Sequence, residues 1–176
     1  MRMTAEQRRE QLLDATKAIA LRDGFHAVSI EAVAREAGIT RPIVYGHFDD
    51  LAGLLEALVD REARRALRQL PETYDDLLAA LAGYLEAVRQ DPGTWRLVLM
   101  PQEGAPRLLG ERIAAGRAAV VERLTAAVPD TGLPDPELAA HMLRAYADEA
   151  ARLVLEGYDV ERVLTLTRFV LDKLAR

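Results

Sequence analysis

Between Gly24 and Leu55 the chain reads GFHAVSIEAVAREAGITRPIVYGHFDDLAGLL, two short apolar-patterned segments joined at Ala37-Gly38-Ile39. Ser29 is placed to cap the first segment, which runs to Glu36, because its hydroxyl can accept from the free amides of a first helical turn. Gly38 suits the left-handed residue that closes a helix and reverses the chain. Thr40 caps the second segment, and Pro42 falls in its first turn, where a missing N–H leaves no bond unmade. Ile30, Val33, Ala34 and Ala37 can meet Ile39, Val44 and Phe48 in one small core with Phe25. Small residues at 34 and 37 let the two helices approach. The spacing predicts a helix-turn-helix, whose second helix fits a major groove about 12 Å wide.

Upstream, Thr4 and Gln7 form a capping box ahead of Leu12, Leu13, Thr16, Ile19 and Ala20, which recur at helical spacing as far as Gly24. Downstream, Asp49 and Asp50 open a long fourth helix that reaches about Leu70, ahead of Pro71. Five further helices are predicted, roughly over 72–90, 93–100, 106–128, 135–156 and 160–175, separated by Pro- and Gly-containing breaks. The expected fold is all-α with about nine helices. A three-helix helix-turn-helix head over residues 1–48 is joined by the long fourth helix to a ligand-binding and dimerisation body over 49–176.

Composition narrows the function classes. Half of the 176 residues are apolar, only 5% are aromatic, and there is no cysteine. A disulfide framework, a thiolate nucleophile and cysteine-ligated zinc are therefore excluded. No stretch resembles a signal peptide, and no apolar run approaches the roughly 20 residues of a membrane span, so a soluble, cytoplasmic protein without a membrane partner is expected. There is no glycine-rich phosphate loop, no metal-spaced cluster of His and carboxylates, and no nucleophile with a partnered base. An enzyme is not expected, nor a cofactor. The net charge of −5 is unhelpful to a nucleic-acid binder. Residues 1–48 hold seven Lys and Arg against six Asp and Glu, so the acidity lies in the body and the head is close to neutral.

The segments Gly24-Phe25, Ser29 to Val33-Ala34, Ala37-Gly38-Ile39-Thr40 and Tyr45-Gly46-His47-Phe48 stand in one register, and together they resemble the N-terminal pattern of the TetR family of transcriptional regulators. The resemblance covers about the first 55 residues. It implies a homodimer that binds double-stranded operator DNA, commonly as a repressor, and answers to a small-molecule effector. It also implies that Tyr45 and His47 bond backbone phosphates. One departure stands out: Asp49-Asp50-Leu51 replaces the Lys that the family usually carries at the start of its fourth helix.

The DNA-facing set is read as Ser29, Thr40, Arg41, Pro42, Ile43, Tyr45 and His47. Arg41 can fork to guanine O6 and N7, and Ile43 either meets a thymine methyl or packs inward. Arg8 and Arg9 either supply further phosphate contacts or remain solvated charges. Tyr84, Trp95, Met100, His141, Met142 and Tyr146 are candidates either for an effector pocket or for plain core. Ala147 and Ala151, with Val163, Leu166, Phe169 and Val170, are read as a dimer surface, since the last two helices carry more apolar face than one body can cover. The rival reading is a helical protein-interaction module whose head no longer binds DNA strongly.

Overall fold

The computed structural model describes residues 3–74, 76–100, 104–127 and 135–174. Among them are nine α-helices and one 3-10 turn, with no strand. The helices are α1 (Ala5–Asp23), α2 (Ile30–Glu36), α3 (Arg41–Tyr45), α4 (Leu51–Gln69), α5 (Leu77–Gln90), α6 (Pro92–Leu99), α7 (Arg107–Ala127), α8 (Pro136–Leu155) and α9 (Val160–Leu174). No described helix is long and apolar enough to cross a membrane. The predicted ends at Val128 and Ala175, and most of the breaks at 101–106 and 129–136, lie outside the described residues.

The chain divides into two compact units, residues 1–64 with 101–113 and residues 65–100 with 114–176. The first boundary falls inside α4. The reason is that the first half of α4 supplies core to the first unit: Leu54, Leu58 and Val59 are buried, and so is Glu62. The Glu62 carboxylate accepts from Lys17 Nζ of α1 at 2.6 Å, and Arg61 reaches both Glu10 and Asp14 of α1. A buried carboxylate requires such partners. Gly104 also belongs here, since a Cβ on it would lie 3.0 Å from the His26 amide nitrogen.

The first unit is built on local rules. Thr4 and Gln7 make both bonds of the capping box. α1 buries Leu12, Leu13, Thr16, Ile19 and Ala20, while Phe25, Val28, Ile30, Val33, Ala34, Val44 and Phe48 are buried in the segments that follow. Ile39 and Ala37 are only half-buried.

The second unit packs α5 against α6, α8 and α9, and α6 against α8. Its core joins Leu81, Tyr84, Leu85, Val88, Trp95, Leu99, Ala150, Ala151, Leu155, Val163 and Leu164. α5 starts at Leu77 and not near residue 72, because Asp76 takes the cap position and accepts from the amides of Leu78 and Ala79. Trp95 meets Tyr84 edge-on with centroids 4.9 Å apart, and its indole N–H donates to Gln69 Oε1 at 2.8 Å. A buried Trp thereby satisfies its polar end.

Candidate nucleic-acid interface

The turn between α2 and α3 is closed by backbone bonds. The Ile39 amide donates to Ala34 O at 2.9 Å and the Gly38 amide to Arg35 O at 3.1 Å, the paired bonds of a Schellman cap. Gly38 sits at φ +67, the left-handed conformation that disfavours any residue with a Cβ. Ser29 caps α2 as expected, accepting from the Ala32 amide at 3.1 Å.

Thr40 occupies the cap position of α3, but its hydroxyl makes no capping bond, contrary to the sequence expectation. Pro42 has no amide hydrogen to offer, and the Ile43 amide is already taken by Thr40's own carbonyl at 3.0 Å. The hydroxyl is left on the exposed side of the helix start.

α3 has one inward residue, Val44, which is fully buried. Arg41, Pro42, Ile43 and Tyr45 are exposed, and His47 is half-buried. The exposure of Ile43 decides between its two readings: it does not pack inward. Gly46 is the C-cap of α3 at φ −70 and not an interior helical glycine, so no helix-interior cost attaches to it. The reading face is thus a short row of a guanidinium, a branched apolar side chain and a phenol, held outward by the anchor at Val44.

Charge on this face is scarcer than the sequence implied. Arg41 Nη1 bonds Glu31 Oε1 of α2 at 2.7 Å, both side chains being more than half exposed. That bond raises the Arg41 pKa and lowers that of Glu31. Arg9 does not project as a free cation: its guanidinium stacks 4.4 Å over the Phe48 ring and bonds the His47 carbonyl at 3.3 Å. Arg8 bonds Gln11. Asp50, standing near the usual Lys, accepts from the Gly53 amide at 2.7 Å, so a fixed carboxylate occupies the start of α4. Sequence reasoning missed Glu31 and the stacked role of Arg9. The available signal was charge complementarity between the starts of two helices joined by a tight turn.

The residues proposed for an effector pocket divide between two environments. Tyr84 and Trp95 are core, and Met100 packs half-buried against it. His141, Met142 and Tyr146 lie on the exposed side of α8, where the Tyr146 hydroxyl meets Thr167 Oγ1 at 2.6 Å. The six do not form one lining. The dimer set also divides. Ala151 and Val163 are corrected to core residues of their own unit, and Ala147 packs half-buried against it. Leu166, Phe169 and Val170 are exposed, as is Leu171 beside them.

Residues 12–58 match the sequence model of the bacterial regulatory proteins of the TetR family. The chain is similar to the HTH-type transcriptional activator FasR of Mycolicibacterium smegmatis, with 28% identity over 83% of this chain and 68% of that protein. It is 40% identical to the HTH-type transcriptional regulator BetI of Yersinia pestis over 43% of this chain and only 36% of BetI. A TetR-like transcriptional regulator from Rhodococcus sp. RHA1 superposes with a TM-score of 0.76 at 25% identity, covering 94% of this chain and 93% of that one.

Proposed function

We propose that the chain is a member of the bacterial TetR family of regulatory proteins, which its N-terminal head matches, and that it is a homodimeric repressor released from a palindromic operator by a small-molecule effector. The observation that carries this reading is the disposition of α3. Val44 is the buried anchor, while Arg41, Ile43 and Tyr45 stand outward with complementary chemistries for a base edge, a methyl and a phosphate. Thr40 adds an uncommitted hydroxyl, and Ser29 and His47 lie at the flanks. The paired Arg41 guanidinium is oriented before DNA arrives.

One such helix reads too few base pairs to select a genomic site. Two copies set about 34–36 Å apart read both halves of a palindrome. The contiguous exposed side chains Leu166, Phe169, Val170 and Leu171 of α9 support the pairing. Effector coupling has to pass through α4 or α7, the two helices that contribute residues to both units. An effector shifts the operator equilibrium only by its differential affinity for the two states.

The test is DNA binding to the region upstream of the protein's own reading frame, with Arg41→Ala as the probe. The expected loss of specific affinity is about 1–3 kcal/mol with thermal stability unchanged. Equal binding by wild type and variant would refute the assignment of Arg41. Absence of any sequence-selective shift would favour a protein-interaction role, for which the neutral head and Asp49-Asp50 speak. A reporter under the same upstream region reads the sign of control: basal expression rises on deletion of a repressor and falls on deletion of an activator.

A further inference from the structure

α3 is five residues long, and Val44 is its single buried residue. One inward side chain fixes a helix at a point and leaves its tilt to whatever holds the two ends. The α2–α3 turn holds one end through its own backbone bonds, and Phe48 is buried beyond the other. Two further bonds reach these ends from one helix, α1. Gln11 Nε2 donates to the Ala37 carbonyl at 3.1 Å, at the turn that leads into α3. Arg9 Nη1 donates to the His47 carbonyl at 3.3 Å, just past the end of α3, while its guanidinium lies 4.4 Å over the Phe48 ring. Both ends of the outward-facing helix are thus tied to α1.

Arg8 completes the brace. Its Nη1 donates to Gln11 Oε1 at 2.6 Å, which fixes the amide. Turned over, the NH2 group would face the guanidinium and the amide oxygen would face the Ala37 carbonyl, so both contacts would become repulsive. Arg8, Arg9 and Gln11 are all half-buried. A flat guanidinium can lie on an aromatic face and bond a carbonyl at once, which a compact ammonium does less well.

We propose that Arg9 and Gln11 are positioning residues that set the angle at which α3 meets DNA, acting through the His47 and Ala37 carbonyls and not by touching the duplex. The proposal rests on the operator-binding reading above and adds determinants of specificity that lie outside α3. Hydrogen bonds to base edges weaken steeply with misalignment, whereas attraction to phosphates tolerates it. A tilt of α3 therefore costs sequence-specific binding and leaves non-specific binding nearly unchanged.

The test titrates full-length protein against a duplex from its own upstream region and a scrambled duplex of equal length, over a range of salt. Arg9→Lys keeps the charge and the helix propensity and loses the stacked fork. The ratio of specific to non-specific affinity is expected to fall about tenfold, with non-specific affinity and its salt dependence unchanged. Gln11→Met keeps the length of the side chain and loses the donor, and a severalfold fall in the same ratio is expected. In the free variants, the amides of Gly46, His47 and Phe48 should exchange hydrogen faster while those of α1 stay as slow as in the wild type. A variant that has lost its fold shows a lower unfolding midpoint and faster exchange throughout α1, and the other variant then carries the test. An unchanged ratio, or unchanged exchange at 46–48, would overturn the proposal. So would the signature of a phosphate contact: Arg9→Gln lowering both affinities together and the salt slope by about 1, with Arg9→Lys restoring them. A wild-type protein that selects neither duplex overturns the operator reading and this proposal with it. Wild-type selectivity with an unchanged ratio in the variants overturns the proposal alone.

Discussion

α3 in the head and α9 in the body both expose apolar side chains, yet the two exposures mean different things. On α3 a single apolar residue, Ile43, stands between Arg41 and Tyr45, opposite one buried anchor. On α9 the inner face, Val163, Leu164 and Thr167, is fully used by its own core, and a second face with Leu166, Phe169, Val170 and Leu171 remains uncovered. An isolated exposed branched side chain among polar groups suits a mixed surface such as a groove floor. A contiguous apolar face at the surface calls for a protein partner.

The strongest way to break this comparison is to charge the outer face of α9. Phe169→Glu is expected to give a monomer by analytical ultracentrifugation and to lower operator affinity at least about a hundredfold, because the two heads then bind independently. A dimer that survives the change would place the pairing surface elsewhere. The head's own foundation is probed by Leu58→Ala, which removes a fully buried side chain where α4 enters the first unit. Denaturant unfolding should show a loss of about 2–5 kcal/mol. A loss well below that would mean that the first half of α4 is dispensable to the head.

Gly38→Ala isolates the turn. No atom lies within 4 Å of the added Cβ, so the expected cost of about 1–2 kcal/mol is backbone strain alone. An unchanged midpoint would show that the turn relaxes out of the left-handed conformation. The subtlest change is Glu31→Gln, which keeps the shape of Arg41's partner and removes its charge. Because the pair is exposed, an effect of only a few-fold is expected. Binding to non-specific DNA should rise while the ratio of specific to non-specific binding falls. A ratio that stays level would show that Glu31 does not orient Arg41 for reading.

Much of the head was legible in the sequence because its determinants are local. Thr4, Gln7, Ser29 and Gly38 act within three to five residues of themselves, through caps and turn bonds that residue type alone specifies. Even there, Thr40 escaped: its capping role depended on whether the Ile43 amide was free, which is a matter of backbone geometry. The body was less legible. Tyr84 and Tyr146 carry the same side chain at helical positions, and only packing made one core and the other surface.

The sequence by itself determined the number and approximate extent of the helices, the helix-turn-helix, and the residue set on its second helix, since periodicity and capping are properties of short segments. Tertiary structure alone decided which partner each charge takes: Glu31 for Arg41, Phe48 for Arg9, Asp148 for Arg117 and Arg144. It also decided which of α9's two apolar faces is spent inside. Both choices depend on groups distant in the chain, and a pattern read along one helix carries no information about what another helix places opposite it.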